Sequence, residues 1–145
     1  MCIVLFTCQL LSQTKQDSAA IEMAARDYVE GWQSGDVDRV SKAIHAELAK
    51  RQVRHSENGQ AFVSPMGATL LKAATNANKG GVKSKDRTPG EPFTVDVRIL
   101  DIDGNNASVK TYNAKYGFMD YVHLAKMNGE WKIINVLWDW STGNQ

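Results

Sequence analysis

At 145 residues, 43% hydrophobic and 23% charged, the chain has the make-up of one globular domain, large enough to bury a core without metal or disulfide staples. A net charge of +1 offers no clustered basic face of the kind nucleic acid demands; the basic run from Lys79 to Arg87, set among glycines, Pro89 and acidic neighbours, reads as a solvated loop. Both cysteines, Cys2 and Cys8, fall in the first ten residues, which excludes disulfide stapling, thiolate metal sites and a cysteine nucleophile from the folded part.

The chain opens on MCIVLFTCQLLSQ, an apolar run of signal-peptide core length and too short to span a membrane. A basic start and a small-residue cleavage site are missing, so a short apolar strand or arm is the alternative. Export to the periplasm or medium is the expectation, with a cytoplasmic protein as the other reading. Residues 1–17 then form a partial leader and joint, and 18–145 form the domain.

From Ser18, a plausible cap, Ile21, Ala24, Ala25, Tyr28 and Trp32 make one stripe on a 3.6-residue period. Gly35 is placed to end this helix in the left-handed region, and Asp36 to cap a short second one marked by Val37, Val40 and Ile44. Residues 48–54 read as a strand. Ser64-Pro65 reads as a third helix start, with Met66, Leu70, Ala73 and Ala77 as its buried stripe and an end at Lys79-Gly80-Gly81. After a loop with Pro89, Gly90 and Pro92 come strands over 93–102 and 106–116, turning at Asp103-Gly104-Asn105, and a bend at Gly117. Helices followed by antiparallel strands argue α+β, with a pocket between the helices and a curved sheet.

The last segment, DYVHLAKMNGEWKIINVLWDW over 120–140, carries the strongest local signal. Asn128-Gly129 between two apolar runs predicts a two-residue hairpin, because both turn residues must take φ > 0. Counting outward, Met127 opposes Glu130, Leu124 opposes Ile133 and Val122 opposes Asn135. Strict alternation puts Val122, Leu124, Trp131, Ile133 and Leu137 on one face with Asp120 and Asn135. Tyr121, His123, Ala125, Ile134, Val136 and Trp138 take the other. Both faces are apolar, so both are expected to be covered, one by helices or a cavity and one by a second subunit.

This order, with AARDYVEGWQSGDVDRV in front and NGEWKIINVLWDW behind, resembles the nuclear-transport-factor-two-like superfamily, and within it the branch called "putative lumazine-binding". The resemblance covers about residues 18–140. It implies a cone in which three N-terminal helices pack on a strongly curved, mostly antiparallel sheet, with a cavity at the wide end and a dimer on the outer face. Members include ketosteroid isomerases, polyketide cyclases, dehydratases and binding or scaffold domains. By that resemblance Tyr28 matches the oxyanion-hole phenol of the isomerases. Their general base falls at Gln52 or Val53, neither of which takes a proton. A cyclase aspartate falls at Val122, with Asp120 two residues further out. The isomerase set is therefore incomplete.

The candidate ligand-binding residues are Tyr28, Trp32, His45, Asp120, Val122 and Asn135. Few polar groups in an apolar wall is the ordinary make-up of a ligand site. A half-buried Asp120 is a candidate acid or base, as is His45, while core packing is the plainer role for Tyr28 and Trp32, a cap for His45 and backbone bonding for Asp120. Arg51 reads as a surface residue. Asp120 and His123 point to opposite sides of a strand and form no dyad. His45, His55 and His123 lack zinc-ligand spacing, and no metal or cofactor is expected. Tyr121, His123, Val136 and Trp138 are assigned to a homodimer interface. The expected function is a small-molecule-binding or scaffold domain for an apolar or aromatic ligand. The alternative is a small isomerase, cyclase or dehydratase with Asp120 or His45 as acid/base and Tyr28 as oxyanion donor.

Overall fold

The computed structural model describes residues 3–78 and 95–141, and side chains within 15–77 and 95–141. The expected end of the third helix, the basic run and the proline-glycine loop lie outside them. The elements run α1 (Ile3–Ser34), α2 (Val37–Ala43), β1 (Ile44–His55), β2 (Ala61–Gly67), α3 (Ala68–Asn78), β3 (Asp96–Asp103), β4 (Asn106–Asn113), β5 (Phe118–Met127) and β6 (Glu130–Trp140). The strands form one sheet in the order β2-β1-β6-β5-β4-β3. All pairs are antiparallel except β1 with β6. Over the described residues the fold is α+β, three helices on a mostly antiparallel open sheet.

α1 buries Ile21, Ala24, Ala25, Tyr28 and Val29 against the sheet. Ser18 does not cap it. The helix runs unbroken from Ile3, because no glycine or proline interrupts residues 3–30 and the polar residues at 14–18 are tolerated inside a helix. Asp17 Oδ1 accepts from Lys126 Nζ at 2.7 Å and from Trp131 Nε1 at 2.9 Å, which pins the helix to the last hairpin. Among the described residues no helix is long and apolar enough to cross a membrane.

Gly35 ends α1 at φ 74, and Asp36 caps α2 by accepting from the Arg39 amide at 3.0 Å. α2 folds back onto α1. Arg39 reaches across to Asp27 at 2.9 Å and Glu30 at 2.8 Å. Gly31 makes the approach possible: a Cβ there would meet Arg39 Cβ and Val40 Cγ2 at 3.0 Å.

The third helix starts later than Ser64-Pro65 suggests. Ser64 and Pro65 pair with Gln52 and Arg51 in β2, at the edge of the sheet, where proline's missing N–H costs no ladder bond. α3 begins at Ala68 and buries Ala68, Leu71 and Thr75, an i, i+3, i+7 stripe. Leu70 is 55% exposed, and Ala73 and Ala77 are exposed.

The hairpin turns where expected, with Asn128 at φ 52 and Gly129 at φ 82. Met127 pairs with Glu130 and Leu124 with Ile133. Beyond that the register slips: His123 pairs with Asn135 and Val122 with Val136, leaving Ile134 as the extra residue of a β-bulge. One inserted residue moves every later side chain to the opposite face. Val136 is therefore fully buried and Trp138 half-buried inward, while Leu137 is half-exposed. The assignment of Val136 and Trp138 to the outer face, and of Asn135 and Leu137 to the inner one, is corrected accordingly. Tyr121 and His123 remain outside.

The α1–α2 contact yields a direct expectation. Gly31→Ala forces a methyl into occupied space and lowers the free energy of unfolding by about 1–3 kcal/mol. Urea titration checks it, and an unchanged midpoint would mean that α2 does not press on α1 at this point.

Candidate functional site

A cavity of about 150 Å³ lies between α1, α3 and the sheet. Tyr28, Val29 and Trp32 of α1 line one side, Met66 and Leu71 another, and Phe118, Trp138 and Trp140 a third; Lys50 supplies the only charge among these lining residues. Phe118 organises the aromatic wall, edge-on to Trp32 at 5.7 Å, Trp138 at 6.2 Å and Trp140 at 6.3 Å. These spacings suit the ring quadrupoles.

Four polar side chains, Lys50, Tyr28, Asp120 and Thr111, meet at and behind the floor. β1 alternates so that Leu48 and Lys50 share its inner face, and Lys50 is only 9% exposed. Its Nζ donates to the Tyr28 hydroxyl and, at 3.2 Å, to Asp120 Oδ1. Tyr28 in turn donates to Asp120 Oδ1 at 3.2 Å, and Thr111 donates to Oδ2 at 2.9 Å. Asp120, fully buried, thus accepts three hydrogen bonds and faces one cation. Such pairing is what lets a carboxylate stay inside a protein. The ammonium also lies 4.9 Å from the Trp138 ring centre and 5.2 Å from that of Tyr28, within cation–π range.

Burial pushes the Lys50 ammonium below its ordinary pKa, and Asp120 opposes that shift. Burial, then the Asp120 charge, then the hydrogen bond to it push the Tyr28 phenol well above its ordinary 10.0. Lys50 has three N–H donors. Tyr28 and Asp120 accept two, and the third finds no hydrogen-bond acceptor among the described residues.

The structure places Tyr28 and Trp32 on the wall of this cavity, with Asp120 buried behind Tyr28 and bonded to its hydroxyl, and leaves out three other sequence candidates. His45 lies in the part of β1 that leaves β6, where the register breaks between Ile44 and Ala49. Its Nδ1 accepts from the Glu47 amide at 3.2 Å. Val122 is core, between Val109 and Val136. Asn135 faces outward, 3.1 Å from His123 Nδ1 and accepting from Arg51 at 3.0 Å. Lys50 is the residue that sequence reasoning missed. Its signal was the alternation Leu48-Lys50-Gln52 on a strand whose Leu48 had to face inward. Among the described residues no three His, Cys, Asp or Glu are placed to hold a metal ion.

The chain belongs to the family described as "Putative lumazine-binding", whose model matches residues 16–139. No protein of curated function matches it by sequence. A nuclear-transport-factor-2-like protein of unknown function from Silicibacter pomeroyi DSS-3 superposes with a TM-score of 0.67 at 15% identity, over 88% of this chain and 98% of its own. One with a cystatin-like fold from Novosphingobium aromaticivorans gives 0.62 at 13% identity, over 98% and 92%. A cystatin-like protein of unknown function from Nostoc punctiforme PCC 73102 gives 0.61 at 16%, over 88% and 92%. At such identities the likeness carries the fold of the nuclear-transport-factor-two-like superfamily and nothing finer.

Two outcomes follow from the buried triad. Lys50→Met leaves Asp120 uncompensated and costs about 3–5 kcal/mol of stability. Adding Asp120→Asn to it costs less than the two single changes summed, and additive losses in chemical denaturation would show the pair uncoupled. Tyr28 gives a pH signature. Its raised folded-state pKa means its contribution is intact below the ordinary 10.0 and is lost as pH rises through the folded value. Tyr28→Phe should therefore flatten the alkaline end of the stability profile, and parallel curves would contradict this.

Proposed function

We propose that this domain binds a small, flat, largely apolar molecule that presents one neutral hydrogen-bond acceptor, such as a carbonyl oxygen, to Lys50. The place of Lys50 as the one charged residue among the described residues of an otherwise apolar, aromatic wall carries the reading. Asp120 already balances the charge of Lys50, so an anionic ligand would bring an uncompensated charge against an apolar, aromatic wall, whereas a neutral acceptor would not. Size points the same way. A cavity of about 150 Å³ compares with the engineered cavity of about 150 Å³ that admits benzene, which suggests a single ring within the described walls. Lumazine, named in the family description, is flat, uncharged and rich in carbonyl acceptors, and so belongs to the same chemical class with one ring more.

The catalytic alternative draws support from the meeting of Tyr28 and Asp120. It is weakened because the Tyr28 hydroxyl donates to Asp120 and so is not aimed at a ligand oxyanion, and because His45 stands apart. We also propose that the outer sheet face around Tyr121 and His123 meets a second copy of the chain, and that the N-terminal apolar run directs export. Light scattering reporting a monomer would remove the first idea. A mature N-terminus identical to the translated one would remove the second.

Benzamide and lumazine are suitable probes, with Trp32, Trp138 and Trp140 as fluorescent reporters in the cavity wall. Saturable quenching is expected from at least one of them. Lys50→Met should weaken it by about tenfold or more, the value of a hydrogen bond from a charged donor. Quenching that is absent, or unaffected by the substitution, would overturn the reading.

A further inference from the structure

We infer that Lys50 can hold its ligand covalently, its amine condensing with the carbonyl carbon of a small aryl aldehyde or ketone in the cavity to give a protonated imine. This rests on the reading above that a carbonyl is presented to Lys50.

The geometry supplies each requirement. Lys50 is the one amine on the described cavity wall. The Trp138 and Tyr28 rings, 4.9 and 5.2 Å from Nζ, line the same cavity and offer flat apolar surface to an aryl carbonyl compound. Asp120 Oδ1, 3.2 Å from Nζ, is in place to take a proton from the ammonium, and Thr111 and Tyr28 hold that carboxylate still. The free amine then attacks the carbonyl carbon. A C–N bond forms, the carbonyl π electrons move to oxygen, and that oxygen takes the proton the attacking nitrogen gives up. The hydroxyl of this carbinolamine leaves as water, carrying the proton returned by Asp120, and a C=N bond forms.

Ammonium plus carbonyl thus becomes protonated imine plus water, with no net change in protons or charge. A positive nitrogen faces the Asp120 carboxylate before and after the reaction, and in between the proton transfer neutralises both partners together, so neither charge is left buried alone, which would be the costly state. An apolar aromatic cavity also disfavours return of the water that reverses the reaction. Desolvation of the Lys50 ammonium acts in the same direction by favouring the neutral nucleophile.

The test uses the full chain with benzaldehyde and cyanoborohydride, followed by peptide mass spectrometry. A benzyl group is expected on Lys50 ahead of the exposed Lys42, and excess benzamide, which binds without forming an imine, should protect Lys50. Lys50→Arg keeps the charge and should lose this label. If benzamide quenches the tryptophans but Lys50 is modified no faster than Lys42, the covalent proposal falls and the binding reading stands. If neither occurs, both fall. Should Lys50→Arg not fold, protection of the wild-type lysine by benzamide makes the same distinction, and its failure overturns the proposal.

Discussion

A lysine that is 9% exposed and a carboxylate that is fully buried cannot both remain charged inside a protein unless each answers the other. The Lys50–Asp120 pair is the constraint around which the inner face is arranged. Asp120 takes hydrogen bonds from Lys50, Tyr28 and Thr111, drawing on β1, α1 and β4. Three separate elements are thereby held to one point of β5. Hydrophobic burial supplies the bulk of the driving force here as in other domains, but it is not directional. The polar floor is what fixes α1 in register over the sheet and leaves a nitrogen facing the hollow.

The bulge at Ile134 decides what that nitrogen sees. Without it, strict alternation from the Asn128-Gly129 turn would send Trp138 and Val136 outward and bring Asn135 and Leu137 in. With it, Trp138 stands over the Lys50 ammonium and joins Phe118 and Trp140 in the cavity wall. A single inserted residue thus puts Trp138 and Trp140 on the cavity wall in place of Asn135 and Leu137. It also turns Asn135 toward His123 and Arg51 on the outside, away from any ligand.

Element types were largely legible. The Gly35-Asp36 break, the Asn128-Gly129 turn and the Gly117 bend all rest on local backbone chemistry that a sequence displays. What failed was non-local. Ser64-Pro65 satisfies the rules for a helix start, yet pairing with β1 makes it an edge strand. The bulge did leave a trace, for Trp131 and Ile133 alternate in one phase and Val136, Trp138 and Trp140 in the other. Lys50 was passed over because a lysine on a strand usually faces water, and only its shared face with Leu48 argued otherwise. Tyr28 and Asp120 stand out in the sequence because a phenol and a carboxylate on apolar stripes need partners. Their actual partner could not be read before β1 was laid beside β6.

The most direct measurement is nuclear magnetic resonance of the lysine side-chain nitrogens. The account predicts a Lys50 ammonium whose protons exchange slowly with water, shielded by Trp138 and Tyr28, and whose signal vanishes in Lys50→Arg and shifts on adding benzamide. A Lys50 signal exchanging as fast as that of Lys42, and indifferent to benzamide, would place this residue in solvent and contradict the account at its root.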